Sequence, residues 1–168
     1  MQIHVYIVLI PIILFVAAVF AASEASLFSL ARSQLESLRE SRPTVHRLVR
    51  KLIFHPDSLL STIIIGNEFL NILLGTLVAE LIHFHFDGLG FKTLAMVSIF
   101  LSTALLLLFS EILPKILGLR LNVLVATLVA FPMSWAYTLF SPIRRVFLKI
   151  SQVLLTRFGI SPAPPSVV

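Results

Sequence analysis

Three long apolar stretches, at residues 5–30, 59–84 and 91–119, constrain this chain more than any other feature of its sequence. A run of about 18 or more residues with few charges is long enough to cross a bilayer as a helix. The composition agrees, because 58% of the residues are hydrophobic and 12% are charged, against about 45–50% and about 25% in soluble domains. We therefore predict an all-α membrane protein in which these stretches are three transmembrane helices.

A fourth apolar stretch, at residues 121–142, is long enough to span but is interrupted by Pro132 and Pro142. The connector at residues 31–58 carries six of the thirteen Lys and Arg residues, so the positive-inside rule places it in the cytoplasm. A fourth crossing would put the basic residues of 143–158 outside. We therefore predict a helical belt over residues 121–158 at the cytoplasmic face, with an external N-terminus and a cytoplasmic C-terminus. Four full crossings are the alternative.

The remaining charges predict lipid contact and further chain. Apolar positions in residues 143–158 share a helical face, with basic residues mainly elsewhere, which is typical of a helix lying on the inner leaflet. Basic residues beside a membrane need only anionic lipid as a partner, so they do not predict nucleic-acid binding. Residues 1–158 form the predicted membrane domain. Residues 159–168 are a proline-rich linker or tail, which predicts that the chain is a piece of a longer protein.

The third apolar stretch contains an ionisable interruption at Ser110-Glu111, followed by Pro114 and Lys115. A carboxylate in hydrocarbon is costly and is by default functional. Pro114 has no N–H for the carbonyl of Ser110, and that carbonyl beside a carboxylate offers the hard oxygen ligands of Mg²⁺, Ca²⁺ or Na⁺. The alternative is a structural pair between Glu111 and Lys115.

The second apolar stretch contains Gly66-Asn67-Glu68 and Asn71. Asn67 and Asn71 are four apart and share a helical face, where amides either bond across a helix interface or bind an ion. Gly66 removes side-chain bulk beside Asn67, which either lets helices approach closely or leaves room for an ion. Glu68 lies on a different face, and its role stays open between a second carboxylate, a proton carrier and a contact with another subunit.

Other polar residues predict less. Ser23, Ser26 and Ser29 either bond their own preceding carbonyls or line a pore. Glu24 is interpreted as a structural partner of an arginine such as Arg32. The absence of cysteine excludes thiolate chemistry, and no catalytic constellation is present, so we do not predict an enzyme. A metal site at His83, His85 and Asp87 is disfavoured, because imidazole sites need several converging ligands.

Taken together, the polar segments resemble the transmembrane domain of the CorC and cyclin M (CNNM) family. Residues 22–32 (ASEASLFSLAR) resemble the end of its first helix, residues 60–67 (LSTIIIGN) with Asn71-Ile72 resemble its second, and residues 110–115 (SEILPK) resemble its third. The order and spacing agree over about residues 5–157.

The resemblance implies three spanning helices, a juxtamembrane belt, a homodimer and location in the inner (plasma) membrane. It implies export of Mg²⁺ coupled to entry of Na⁺. By motif match the ion site would include Asn67, Gly66, Glu111, Ser110 and Ser23. Family members usually carry cytoplasmic CBS domains, which this sequence lacks.

Three departures from the family pattern bear on that site. Ala17 and Ala21 stand where the family has serines, Ser110 stands where it has glycine, and Glu68 adds a carboxylate. Fewer hydroxyl ligands predict a more hydrated ion, a different cation or a lapsed transporter. We therefore predict a divalent-cation transporter, with a non-transporting scaffold or regulatory domain as the first alternative. A proton- or sodium-linked carrier that uses Glu68 or Glu111 is the second alternative.

Overall fold

The structure, a computed structural model, describes residues 2–85 and 91–157, and every regular element in them is a helix. The proline-rich tail at 159–168 lies outside the described residues. The side chains of His83, His85 and Asp87 also lie outside them. The helices are α1 Gln2–Phe28, α2 Arg32–Ser41, α3 Pro43–Ile53, α4 Pro56–His85, α5 Phe91–Leu105, a π-helical segment Leu106–Ile112, α6 Leu113–Arg120, α7 Asn122–Leu139 and α8 Ser141–Arg157.

Four helical segments are long and apolar enough to cross a membrane by length and composition: Val5–Phe28, Pro56–Ile82, Ala95–Arg120 and Asn122–Leu139. The prediction of an all-α membrane protein is confirmed. The first three segments cover the predicted spans. The fourth is the apolar part of the predicted belt, so the count of candidate spans differs from three.

Helices α1 and α4 form an antiparallel pair at the centre of the fold. Ile13 clusters with Leu74, while Leu27, one half-helix further on, clusters with Leu59. Residue numbers in these clusters increase along α1 as they decrease along α4, so the two helices run antiparallel. The exposed apolar surface of these helices is extensive, as expected for side chains that face lipid rather than water.

Two glycines set how closely the helices approach. A Cβ on Gly118 of α6 would lie 2.6 Å from the carbonyl oxygen of Ala22 and 3.0 Å from the Cβ of Ala25. Small residues of this kind allow backbone contact between membrane helices. A Cβ on Gly66 would overlap the ring of Phe20, so Gly66 provides the space that the Phe20 side chain fills. The spacing of small residues alone did not predict either contact.

The basic connector is not an irregular loop but two amphipathic helices, α2 and α3. On α3, Val45, Val49 and Leu52 are buried, and this i, i+4, i+7 spacing turns one face toward the core. The second long helix starts three residues before the predicted stretch at 59–84. Helix α4 begins at Pro56, whose fixed φ and missing N–H suit a first turn.

Helix α7 is continuous through Pro132 and packs against α1 and α3. At its start, the Asn122 amide donates to the carbonyl of Ser29, just past the end of α1. At its end, Phe140 contacts Phe20, with ring centroids 6.3 Å apart. Phe20 and Ser29 are about 13 Å apart along the direction of α1, whereas α7 is about 27 Å long. Helix α7 therefore runs obliquely across the C-terminal part of α1.

Candidate metal centre

The third long apolar helix leaves α-helical geometry at Leu106–Ile112, where it becomes a π-helix. The N–H of Leu113 donates to the carbonyl of Leu108, five residues back, and Pro114 follows in the first turn of α6. Wider turns of this type relieve the crowding that proline causes, and they recur at functional sites. Ser110 and Glu111 both lie in this segment, within the span Ala95–Arg120.

Asn71 joins α4 to the π-helical segment. Its Nδ2 donates to Glu111 Oε1 at 3.2 Å, and its Oδ1 accepts from the Ser110 hydroxyl at 3.0 Å. Ser110 is completely buried. The interpretation of Asn71 as an amide that bonds across a helix interface is therefore confirmed, and the same amide turns one Glu111 oxygen toward α4.

Lys115 does not pair with Glu111. Its Nζ lies 3.1 Å from Glu24 Oε2, so the ion pair joins α6 to α1. The interpretation of Glu24 as a structural partner holds, but its partner is Lys115 rather than an arginine. The two residues line a cleft of about 480 Å³ together with Leu60 of α4. The structural alternative for Glu111, a pair one turn along its own helix, is wrong.

Asn67 lies one turn from Asn71 on α4, and it is 8% exposed. Its Oδ1 is fully buried and accepts no hydrogen bond from any residue that the structure describes. A buried amide oxygen without a donor costs about 1–3 kcal/mol, so native proteins retain few of them. A cation would supply the missing partner, because amide oxygen is a hard ligand.

The hydroxyls of α1 bond within their own helix. Ser23 donates to the carbonyl of Val19, Ser26 to that of Ser23, and Ser29 to that of Ser26. Ser23 is completely buried, and no hydrogen bond links it to Asn71 or Glu111 in the described part of the chain. As the donor in its bond, the Ser23 oxygen keeps lone pairs that a cation could use.

Ala17 and Ala21 are also completely buried. Both positions therefore face the interior of the fold, where a serine would present its hydroxyl toward neighbouring helices. Methyl groups occupy these places, so α1 contributes fewer oxygen atoms than the resemblance implies.

The structure therefore unites some predicted residues and separates others. Asn71, Ser110 and Glu111 form one hydrogen-bonded cluster, and Asn67 lies a turn away. The Phe20 ring covers Gly66, as the packing alternative for this glycine predicts, and ion approach at Gly66 stays a prediction. Glu68 is exposed on the outside of α4. Among the described residues, no three His, Cys, Asp or Glu side chains converge. A cation at this site would therefore need amide and hydroxyl oxygens in addition to the single carboxylate of Glu111.

A helical membrane domain with amide, hydroxyl and carboxylate oxygens inside its spans belongs to the class of multi-pass membrane proteins with an intramembrane polar site. The family is shown by comparison: residues 8–167 match the family described as cyclin M transmembrane N-terminal domain, and the chain belongs to it. The predicted membership is confirmed.

A curated relative supports the same assignment. The chain is 29% identical over 148 residues to the UPF0053 inner membrane protein YfjD of Escherichia coli strain K12. The alignment covers 86% of this chain and 33% of the relative, so the chain spans about a third of that protein's length.

Proposed function

We propose that this domain binds and moves a divalent cation, Mg²⁺ in the first instance, and that it is a transporter rather than an enzyme. The observation that carries the proposal is the Oδ1 of Asn67, buried without a donor one turn from the Asn71–Ser110–Glu111 cluster. The cluster supplies a carboxylate, and Ser23 on the neighbouring helix supplies a hydroxyl oxygen. These are the ligand types that Mg²⁺ takes.

The site holds its cation partly hydrated. Mg²⁺ sheds water reluctantly and usually keeps several water ligands, so a site with few protein oxygens suits it. The buried methyl groups of Ala17 and Ala21 reduce the protein's share further. Family membership supports Mg²⁺ as the cargo, with Na⁺ entry as the coupled movement.

The proposed topology has three crossings, with α7 as a belt at the cytoplasmic face. Both ends of α7 lie near the same end of the α1–α4 pair. At the start of α7, Asn122 contacts Ser29. After the end of α7, Arg144 in the first turns of α8 donates to Thr62 of α4 at 3.0 Å. Thr62 is about 9 Å from the start of α4, whereas a crossing requires about 30 Å. The exposed cations Arg47, Arg50 and Lys51 of α3 support a cytoplasmic location for this end, and the N-terminus is then external.

This topology is open to a direct test, because the chain has no cysteine to remove. A Lys149→Cys variant should react with an impermeant maleimide only from the cytoplasmic side. Glu40→Cys on α2 is the control for that side. Labelling of Lys149→Cys from outside, with Glu40→Cys labelled from inside, would establish four crossings.

Transport follows an alternating-access scheme. The ion pair of Glu24 with Lys115 holds α1 against α6 near the cytoplasmic end, and the opening that admits the cation to Asn67 forms between this pair of helices and α4. Pro114 and the π-helical segment before it supply the place where the third spanning helix bends.

We assign the domain to the inner membrane as a homodimer. The exposed Glu68 on α4 is available to a second copy, since a carboxylate on the surface of a span is disfavoured against lipid. Anionic lipid contacts the basic juxtamembrane helices, and CBS domains are expected elsewhere in the full-length protein.

A liposome flux assay that compares Mg²⁺, Na⁺ and H⁺ tests the function. Wild-type protein should carry Mg²⁺, whereas Asn67→Ala and Glu111→Ala should abolish that flux. Glu68→Gln is the matched control within the membrane and should retain it. Flux of H⁺ or Na⁺ alone, lost in Glu68→Gln, would favour the carrier alternative.

A non-transporting scaffold is the second candidate, and the buried Ala17 and Ala21 favour it. Thermal stability of the purified domain separates the two. Stabilisation by Mg²⁺ that disappears in Glu111→Gln supports the transporter. Equal stability with and without every divalent cation supports the scaffold.

A further inference from the structure

The outer face of α3 carries cations that form no ion pair with an acidic side chain of the described residues. Burial of Val45, Val49 and Leu52 turns Arg47, Arg50 and Lys51 outward, where all three are exposed. The ion pairs in the described part of the chain are Arg39 with Glu36 and Lys115 with Glu24. The three cations of α3 therefore have no carboxylate within ion-pair distance among the described residues.

These cations line a shallow, open concavity. A concavity of about 470 Å³ lies between the end of α3 and the end of α7. Its lining comprises the three cations, the imidazoles of His46 and His55, and the aromatic rings of Phe54 and Tyr137. Cations gathered in a concave site with apolar walls concentrate the positive potential and attract anions.

A further cation, Arg144, contacts the ring of Tyr137. The Arg144 guanidinium lies 3.9 Å from the centroid of the Tyr137 ring and is 8% exposed. It donates to Thr62 Oγ1 and to the Tyr137 carbonyl, which are neutral acceptors. No carboxylate lies within ion-pair distance of it in the described ranges. A buried charge without a counter-ion is costly, so an anion bound in the pocket beside Tyr137 would offset part of the cost of burying Arg144.

The geometry points to a phosphate-binding pocket formed by α3 and α7, separate from the cation site. Guanidinium groups pair with phosphate oxygens in bidentate geometry, and Lys51 adds a point charge. Phe54 is 61% exposed at the rim, and Trp135 on α7 is 72% exposed, as is usual for aromatic residues at a membrane interface. An anionic phospholipid head group and a soluble phosphate share the required chemistry.

The test uses the full chain in detergent and three probes: dioctanoyl phosphatidic acid, dioctanoyl phosphatidylcholine and inorganic pyrophosphate. Native mass spectrometry measures the affinity of each. We expect phosphatidic acid to bind more tightly than phosphatidylcholine. If pyrophosphate abolishes the binding of phosphatidic acid, a soluble phosphate is an equivalent ligand. If phosphatidic acid still binds in the presence of pyrophosphate, the ligand is the lipid head group.

The variant pair Arg50→Gln/Lys51→Gln should weaken binding of phosphatidic acid by about 30-fold, since each basic residue near an anionic surface contributes about fivefold. Arg145→Gln/Lys149→Gln on α8 removes the same charge from exposed positions outside the pocket and should have less than about a threefold effect. Equal weakening by both pairs, or no preference for phosphatidic acid, would overturn the proposal. All substituted side chains are exposed, so helix content should be unchanged.

Discussion

Two asparagines on neighbouring parts of the fold are used in opposite ways. Asn122, at the junction of α1, α2 and α7, donates to the Ser29 carbonyl and to Gln34 Oε1, and its oxygen accepts from Gln34 and from the Val123 N–H. Asn67, in the middle of α4, is buried with an oxygen that accepts nothing among the described residues. The difference separates an amide that holds helices together from one whose oxygen the proposed cation site would use.

The largest effect should follow from Asn122→Ala. It removes four hydrogen bonds, including both amide contacts with Gln34, at a cost of about 2–4 kcal/mol. Thermal unfolding in detergent should show the loss equally with and without Mg²⁺. A loss of stability that Mg²⁺ restores would mean that Asn122 also serves the ion site, and the comparison would fail.

Ser110→Ala should have an intermediate effect. It removes the donor to Asn71 Oδ1 and leaves a partly buried acceptor, which costs about 1–2 kcal/mol. Chemical denaturation measures the change, and Ser102→Ala, where the hydroxyl only bonds its own helix, is the control. A change no larger than that of the control would show that the Asn71–Ser110 bond adds nothing to stability.

Asn67→Ala should leave the stability of the cation-free protein within about 1 kcal/mol, because no hydrogen bond to its oxygen is lost. The same substitution should abolish the thermal stabilisation by Mg²⁺. Destabilisation comparable to that of Asn122→Ala would identify Asn67 as another structural amide and remove the main support for the cation site.

Ala21→Ser should have the smallest effect on folding. A serine there can bond a preceding carbonyl of α1, as Ser23 does, so unfolding should shift by less than about 1 kcal/mol. Its hydroxyl would face the interior and tighten Mg²⁺ binding, measured as a lower half-saturating concentration in the thermal assay. Ala18→Ser, at a half-buried position, is the control. Equal binding by both variants would place the cation away from α1.

The sequence predicted the parts of the site that depend on local chemistry. Asn67, Asn71 and Glu111 could be identified as candidate site residues from the sequence alone, because polar groups within hydrocarbon are costly. The length of the apolar runs predicted the first three long helices. The α3 helix was not predicted, because the six basic residues of the connector at 31–58 indicate only that it is cytoplasmic. The apolar positions of α3 nevertheless follow helical spacing.

The contacts between distant segments could not be read in the same way. Gln34 meets Asn122 across 88 positions of sequence, and Lys115 pairs with Glu24 rather than with its neighbour on the helix. The π-helical register at Ser110 depends on how the third long helix packs, since Pro114 alone is equally compatible with a simple kink. The sequence shows that Gly66 leaves space on α4, but not that the Phe20 ring of α1 fills this space.

The contact of Gly118 with the backbone of Ala22 has a consequence for how the domain moves. With no side chain between them, and with Lys115 tied to Glu24 one turn away, α1 and α6 must travel as a single rigid unit. In the proposed transport cycle, α4 would then move relative to this unit and would expose Asn67 to each side of the membrane in turn.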